Sequence, residues 1–230
     1  VKFIFMVILL IFHWFAMKKI GEITSKKFNI KYFKKSVFLA PISIIFSLIL
    51  IRTIGLSSQE AGFILGDVKE GFRSVCFIGL PLAIISGGLI FTIPKENLKE
   101  VKYGEKQVKW EFIYAWIFVG VVEEIIFRGF VQGTLDSMID GHLFTFTSAT
   151  IISSMVFVLI HIGNVLYKQE TWKAFLSMIP TRLIAALVLG YSFQVSRSII
   201  YSVIIHNLID GLNMSALYFR KKAIRGKYEA

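Results

Sequence analysis

"VVEEIIFRGF" (residues 121–130) decides how this chain is read. Two adjacent glutamates and an arginine sit in a stretch that otherwise has the composition of a membrane helix. Each such charge costs about 2.5–3.5 kcal/mol at the centre of a bilayer on insertion scales. Either the segment lies outside hydrocarbon, or the charges are held inside for a purpose. Apolar sequence runs on both sides of them, which favours the second reading over an interfacial segment with snorkelling side chains.

The surroundings support a membrane setting. Of 230 residues 55% are hydrophobic, 22 are phenylalanine, and the mean hydropathy is +0.68. Runs near the ~20 residues needed to cross a bilayer recur along the chain. The expected spans are 1–17, 37–55, 72–93, 111–131, 144–163, 174–195 and 198–219, which gives an all-α, polytopic helix bundle of about seven spans. No long linker or repeat divides it, so residues 1–230 are read as one membrane domain. The first span lacks a basic leader region and an A-x-A site and reads as a retained helix. Val1 in place of Met is compatible with further residues upstream.

A net charge of +11 raises the question of nucleic acid. Its distribution answers it. Lysines crowd the first loop (Lys18, Lys19, Lys26, Lys27, Lys31, Lys34, Lys35) and the third (Lys95, Lys99, Lys102, Lys106, Lys109). Lys168 and Lys173 flank the fifth, and Arg220, Lys221, Lys222, Arg225 and Lys227 fill the tail. The intervening loops carry little. This alternation predicts a cytoplasmic C-terminus in the cell membrane and contacts with anionic lipid, with no nucleic-acid partner. The sequence does not fix an oligomeric state. The single cysteine, Cys76, excludes an intrachain disulfide and reads as a small buried hydrophobe.

Ionisable residues inside spans are functional candidates, since hydrocarbon gives them no solvation. His13, Glu123, Glu124, Arg128, His161, Arg182, His206 and Asp210 qualify. Glu124 and Arg128 are one turn apart and can pair. Glu123 is then left without a partner on its own helix, and a buried unpaired carboxylate can accept a proton. In "YSVIIHNLIDGLNMS" (201–215), His206, Asp210 and Asn213 share one face, with Ser202 a turn earlier. Ser202 and Asn213 suit helix–helix hydrogen bonds. His206 with an acid one turn away suits chemistry, because the acid can fix the imidazole tautomer. His161, His13 and Arg182 carry no such signal individually.

Several intramembrane chemistries fail on their own motifs. There is no GxSG nucleophile turn, no GxGD pair and no HExxH. What remains is a glutamate pair and two histidines on other helices, with an acid beside the second. That set can deprotonate a water near a scissile carbonyl and stabilise the oxyanion. It could equally hold a divalent metal such as zinc through Glu123, His161 and His206.

"EEIIFR" (123–128) fits E-E-x-x-x-R, "FVLIH" (157–161) fits F-x-x-x-H, and "HNLID" (206–210) fits H-x-x-x-N/D. In that order on three helices, over about 110–215, they resemble the CPBP family of CAAX-protease and bacteriocin-processing (Abi) proteins. The R-G-F-x-Q-G run after the glutamates is also typical of it. The resemblance implies an intramembrane endopeptidase, catalogued with metalloproteases, for which a metal-free glutamate–water mechanism is favoured. Carried over, Glu123 is the base, His161 and His206 stabilise the oxyanion, Asp210 is their partner, and Glu124 and Arg128 support the site. Asp210 stands where the prenyl-protein enzyme has asparagine, and an ionised aspartate cannot donate to an oxyanion. Substrates implied are membrane-associated peptides such as bacteriocin precursors, pheromones or lipidated tails, in a bacterial source suggested by the Lys- and Ile-rich composition. Two other readings stay open: a non-catalytic scaffold or self-immunity protein binding a peptide in the same cavity, and a small transporter with a proton relay.

The expected spans put His161 near one membrane face and Glu123 and His206 nearer the other. One site demands one depth. The spans near 130–150 must shift, or a helix must break at Gly129, Gly133 or Gly141.

Overall fold

Backbone polar groups in hydrocarbon must be satisfied internally, and a helix does this within one segment. The computed structural model describes residues 1–30, 32–98, 107–167 and 170–226 and is all-α. Its helices are α1 (Lys2–Phe28), α2 (Tyr32–Thr53), α3 (Val68–Thr92), α4 (108–136), α5 (Ser148–Leu166), α6 (Trp172–Ser196) and α7 (Ile199–Gly226). One turn at Lys95–Leu98 and a small antiparallel hairpin, His142–Leu143 against Phe146–Thr147, complete the order.

Local signals set the helix ends. Asp67, Thr147 and Thr171 each accept the backbone N–H three residues on, capping α3, α5 and α6. Asn29 and Arg197 take left-handed conformations where α1 and α6 stop. Five helices, α1, α2, α3, α5 and α6, are long and apolar enough to cross a bilayer, and the chain is a multi-pass membrane protein. The other two helices of the seven-span expectation, α4 and α7, are not among these five. Both carry the motif charges.

Contacts sort the helix ends into two groups. At one end Lys2 donates to Ser137 at 2.9 Å and Arg197 pairs with Asp136 at 3.2 Å. The loop 54–67 folds in beside them, with Asp67 N–H donating to Ser196 O and Ile199 N–H to Gly62 O. At the other end Lys18 lies over Tyr167, Lys34 lies over Trp110, and Arg220 donates to the Ile90 and Ile93 carbonyls. The lysine-rich loops therefore gather on one side. Lys31, Lys99, Lys102, Lys106, Lys168 and Lys227 lie outside the described residues.

The depth conflict is resolved by a shift of span boundaries. α4 runs on to Asp136 through Gly129 and Gly133 without breaking, and the chain turns at Gly141 (φ +127°) into the hairpin. α5 then starts at Ser148 rather than near 144, because Thr147 caps it. Antiparallel pairing follows: Gln132 meets Thr150, and Ser153 Oγ donates to Phe127 O. Continued upward, this register sets Phe157 level with Glu123 and Glu124, and His161 about one turn beyond them.

The glycines of "RGFVQG" (128–133) let the loop 54–67 approach α4. A Cβ on Gly133 would stand 2.8 Å from the Glu60 carbonyl and one on Gly129 3.3 Å from the Ala61 carbonyl. Gly133→Ala is expected to cost about 1–3 kcal/mol, since backbone is what must move. A lowered unfolding midpoint in detergent checks this; an unchanged midpoint would show that the loop yields freely.

Candidate active site

The site begins with how α4 is wound. Residues 114–118 and 125–132 form π-helical turns flanking the α-helical turn Val119–Glu124. Such turns free backbone groups from the regular ladder. One of them is claimed by α7: Gly120 N–H donates to Asn207 Oδ1 at 2.8 Å, and Asn207 Nδ2 donates to Ile117 O at 3.3 Å. A side chain on Gly120 would meet Asn207 and the Val203 carbonyl. This close, stitched contact sets Glu123 and Glu124 opposite the residue before Asn207, which is His206.

Glu124 is the centre of the buried half. Its Oε1 lies 3.2 Å from Arg128 Nη1 and 2.7 Å from His206 Nδ1. Arg128 Nη2 reaches across to the Ala186 carbonyl of α6 at 2.8 Å. The side chains of Glu124 and Arg128 have no exposed surface, and that of His206 only 6%. Desolvating these charges is costly, and the geometry repays it only while all three stay in register. The acid that orients the imidazole is therefore Glu124, from another helix. Asp210 lies 3.7 Å from the opposite ring nitrogen, beyond a hydrogen bond.

The open half faces His206 Nε2. Glu123 Oε2 stands 3.8 Å from it and Asp210 Oδ2 3.7 Å. Both carboxylates keep accessible surface, 28% and 40% of the side chain. Neither distance is a direct hydrogen bond, so Nε2 and the two carboxylates are separated by 3.7–3.8 Å without contact.

His161 belongs to the same neighbourhood through Phe157. The Phe157 ring lies 5.1 Å from His161, 6.0 Å from His206 and 4.9 Å from Phe127, with the Arg128 guanidinium 5.0 Å from its centroid. The phenylalanine of the second motif is thus the packing hub of all three. α5 is interrupted at His161, where the helix passes into a turn, and Nδ1 lies 2.8 Å from the Phe157 carbonyl. In the neutral ring Nδ1 donates there, which leaves the Nε2 lone pair as an acceptor.

Every motif residue expected from the sequence is brought to this region. The remaining candidates separate. His13 packs on Phe46 with Ser47 at 3.3 Å, between α1 and α2. Asn213 accepts from Ser86 on α3 at 2.9 Å, as expected of a helix–helix contact, whereas Ser202 donates within its own helix to Ile199. Arg182 has no acidic residue on its own helix but finds Glu170 in the preceding loop. Sequence reasoning missed Asn207 and Glu170. A lone amide beside His206 inside an apolar helix is the signal that could have exposed Asn207.

A resident zinc ion would need Glu123, His161 and His206 to converge with free donors. Nδ1 of His161 lies on the Phe157 carbonyl and Nδ1 of His206 on Glu124, which leaves both Nε2 atoms for a ligand, the usual arrangement of a histidine that binds a metal. Among the described residues no group of three or more His, Cys, Asp or Glu side chains already converges in metal-binding geometry.

Residues 105–212, the segment holding all three motifs, match the family model described as type II CAAX prenyl endopeptidase Rce1-like. No curated protein and no solved structure matches the chain.

Proposed function

We propose that this chain, whose residues 105–212 match the Rce1-like type II CAAX prenyl endopeptidase family model, is a protease of that family and hydrolyses a membrane-associated peptide with water activated by Glu123. The observation that carries this reading is the asymmetry of the glutamate pair. Glu124 is sealed and spent on Arg128 and His206, while Glu123 makes no direct hydrogen bond and keeps accessible surface 3.8 Å from His206 Nε2.

Glu123 takes a proton from a water bound at its exposed edge as the water oxygen bonds to the scissile carbonyl carbon. The carbonyl π pair moves onto oxygen. In its protonated form His206, held by the Glu124 carboxylate, donates Nε2–H to that oxyanion. Collapse breaks the C–N bond, and the leaving amine takes the proton from Glu123. His161, with Nδ1 on the Phe157 carbonyl, suits the attacking water as hydrogen-bond acceptor better than the oxyanion as donor. Asp210 accepts from water or from the substrate N–H groups.

The bilayer supplies the substrate, read as an amphipathic precursor or lipidated tail, and α4 and α7 complete seven crossings with a cytoplasmic C-terminus. The test is hydrolysis by the purified chain in liposomes, with a synthetic library of amphipathic and lipidated peptides in H2-18O. Products whose new C-terminal carboxylate carries the heavy oxygen are expected. Peptides that bind yet stay intact would favour the scaffold reading instead.

A further inference from the structure

Arg182 is a charged residue inside a membrane helix that the reaction above does not use. It lies on α6 one turn before Ala186 and two before Gly190, whose carbonyls receive Arg128 and Gln132 of α4. Residues spaced by four share a helix face. Arg182 therefore faces the motif helix, one turn further along than the Arg128 contact, which is the level of Glu124.

The guanidinium is used unevenly. Nη2 alone donates to both Glu170 carboxylate oxygens, each at 3.0 Å, and the group rests 5.7 Å from the Phe175 ring centroid. Nη1 is buried and has no hydrogen-bond partner. Leaving such a donor unmade costs about 1–3 kcal/mol. Glu170 is itself held by its N–H on the Asn164 carbonyl, beyond the break in α5. The pair is thus anchored at both ends and nearly neutral in sum, with one donor spare. A neutral acceptor suits a donor whose charge is already balanced.

We propose that Arg182 Nη1 is a substrate-binding donor, taking a backbone carbonyl oxygen of the bound peptide on the His161 side of the site, with Glu170 aligning it. This rests on the peptidase reading for the identity of the ligand. It makes Arg182 a positioning residue for substrate, distinct from the Glu123–His206 chemistry.

The experiment has two arms. On a library peptide cut by the wild type, Arg182→Gln is expected to raise KM about tenfold, the loss of one good hydrogen bond, with kcat changed far less. Arg182→Lys restores part of the loss, and Glu170→Gln produces a smaller rise. An unchanged KM, or a fall in kcat alone, overturns the proposal. In the second arm a photo-activatable-leucine version of the library is crosslinked to Glu123→Ala protein and to the Glu123→Ala, Arg182→Gln double variant. Weaker crosslinking in the double variant supports the subsite even if no peptide is ever cleaved, an outcome that would sink hydrolysis alone. Equal crosslinking overturns the subsite.

Discussion

Glu123→Ala is expected to reduce peptide hydrolysis by about 10^2–10^4-fold, the usual contribution of a positioned general base. Its side chain makes no hydrogen bond of 3.5 Å or less, being 3.8 Å from His206, and 28% of it is exposed, so the fold loses little when it is removed. The matched control is Glu123→Gln, which keeps shape and polarity but cannot take a proton from water. Both variants should keep the wild-type unfolding midpoint in detergent and lose turnover together. A glutamine variant that retains wild-type kcat would show that the proton goes elsewhere.

Glu124→Ala is expected to fail in the opposite way, through stability first. The change strands Arg128 without its carboxylate in a site with no exposed surface, and breaking a buried pair from one side costs about 3–5 kcal/mol. It also releases His206 Nδ1, so activity falls in whatever fraction remains folded. Replacing both partners, Glu124→Met with Arg128→Met, removes the unpaired charge and should recover most of the unfolding midpoint without recovering hydrolysis. That pattern separates the role of the pair in packing from its role in orienting the imidazole. Recovery of neither would mean that the Arg128–Ala186 link, rather than the ion pair, secures the junction of α4 and α6.

The helices and the identity of the site were legible in the sequence for different reasons. Apolar runs report helices directly, because hydrocarbon admits little else. The three motifs report the site because charges survive in such helices only under strong constraint. What the sequence concealed was geometry between helices. The start of α5 depended on Thr147 serving as a cap and on residues 142–147 forming a hairpin, neither of which hydropathy registers. The partner of His206 could be read along its own helix as Asp210, whereas Glu124 reaches it from α4, 82 positions away in the chain. Asn207 escaped notice because its hydrogen bonds exist only where the π-turn of α4 leaves a backbone N–H and a carbonyl unclaimed.

The loop 54–67, which approaches α4 at two glycines, also packs an apolar layer on one side of the motif residues. Ala61 and Leu56 close against Phe130, Val131 and Leu135, all at most 2% exposed, and form a dry plug below the motif residues. Glu123 and Asp210, which keep their surface, lie above it. On the proposed reading, water and peptide reach Glu123 from the side away from that packed layer, and both fragments leave by the same side. Release of the second fragment then competes directly with entry of the next peptide, and excess product should act as a simple competitive brake on the enzyme.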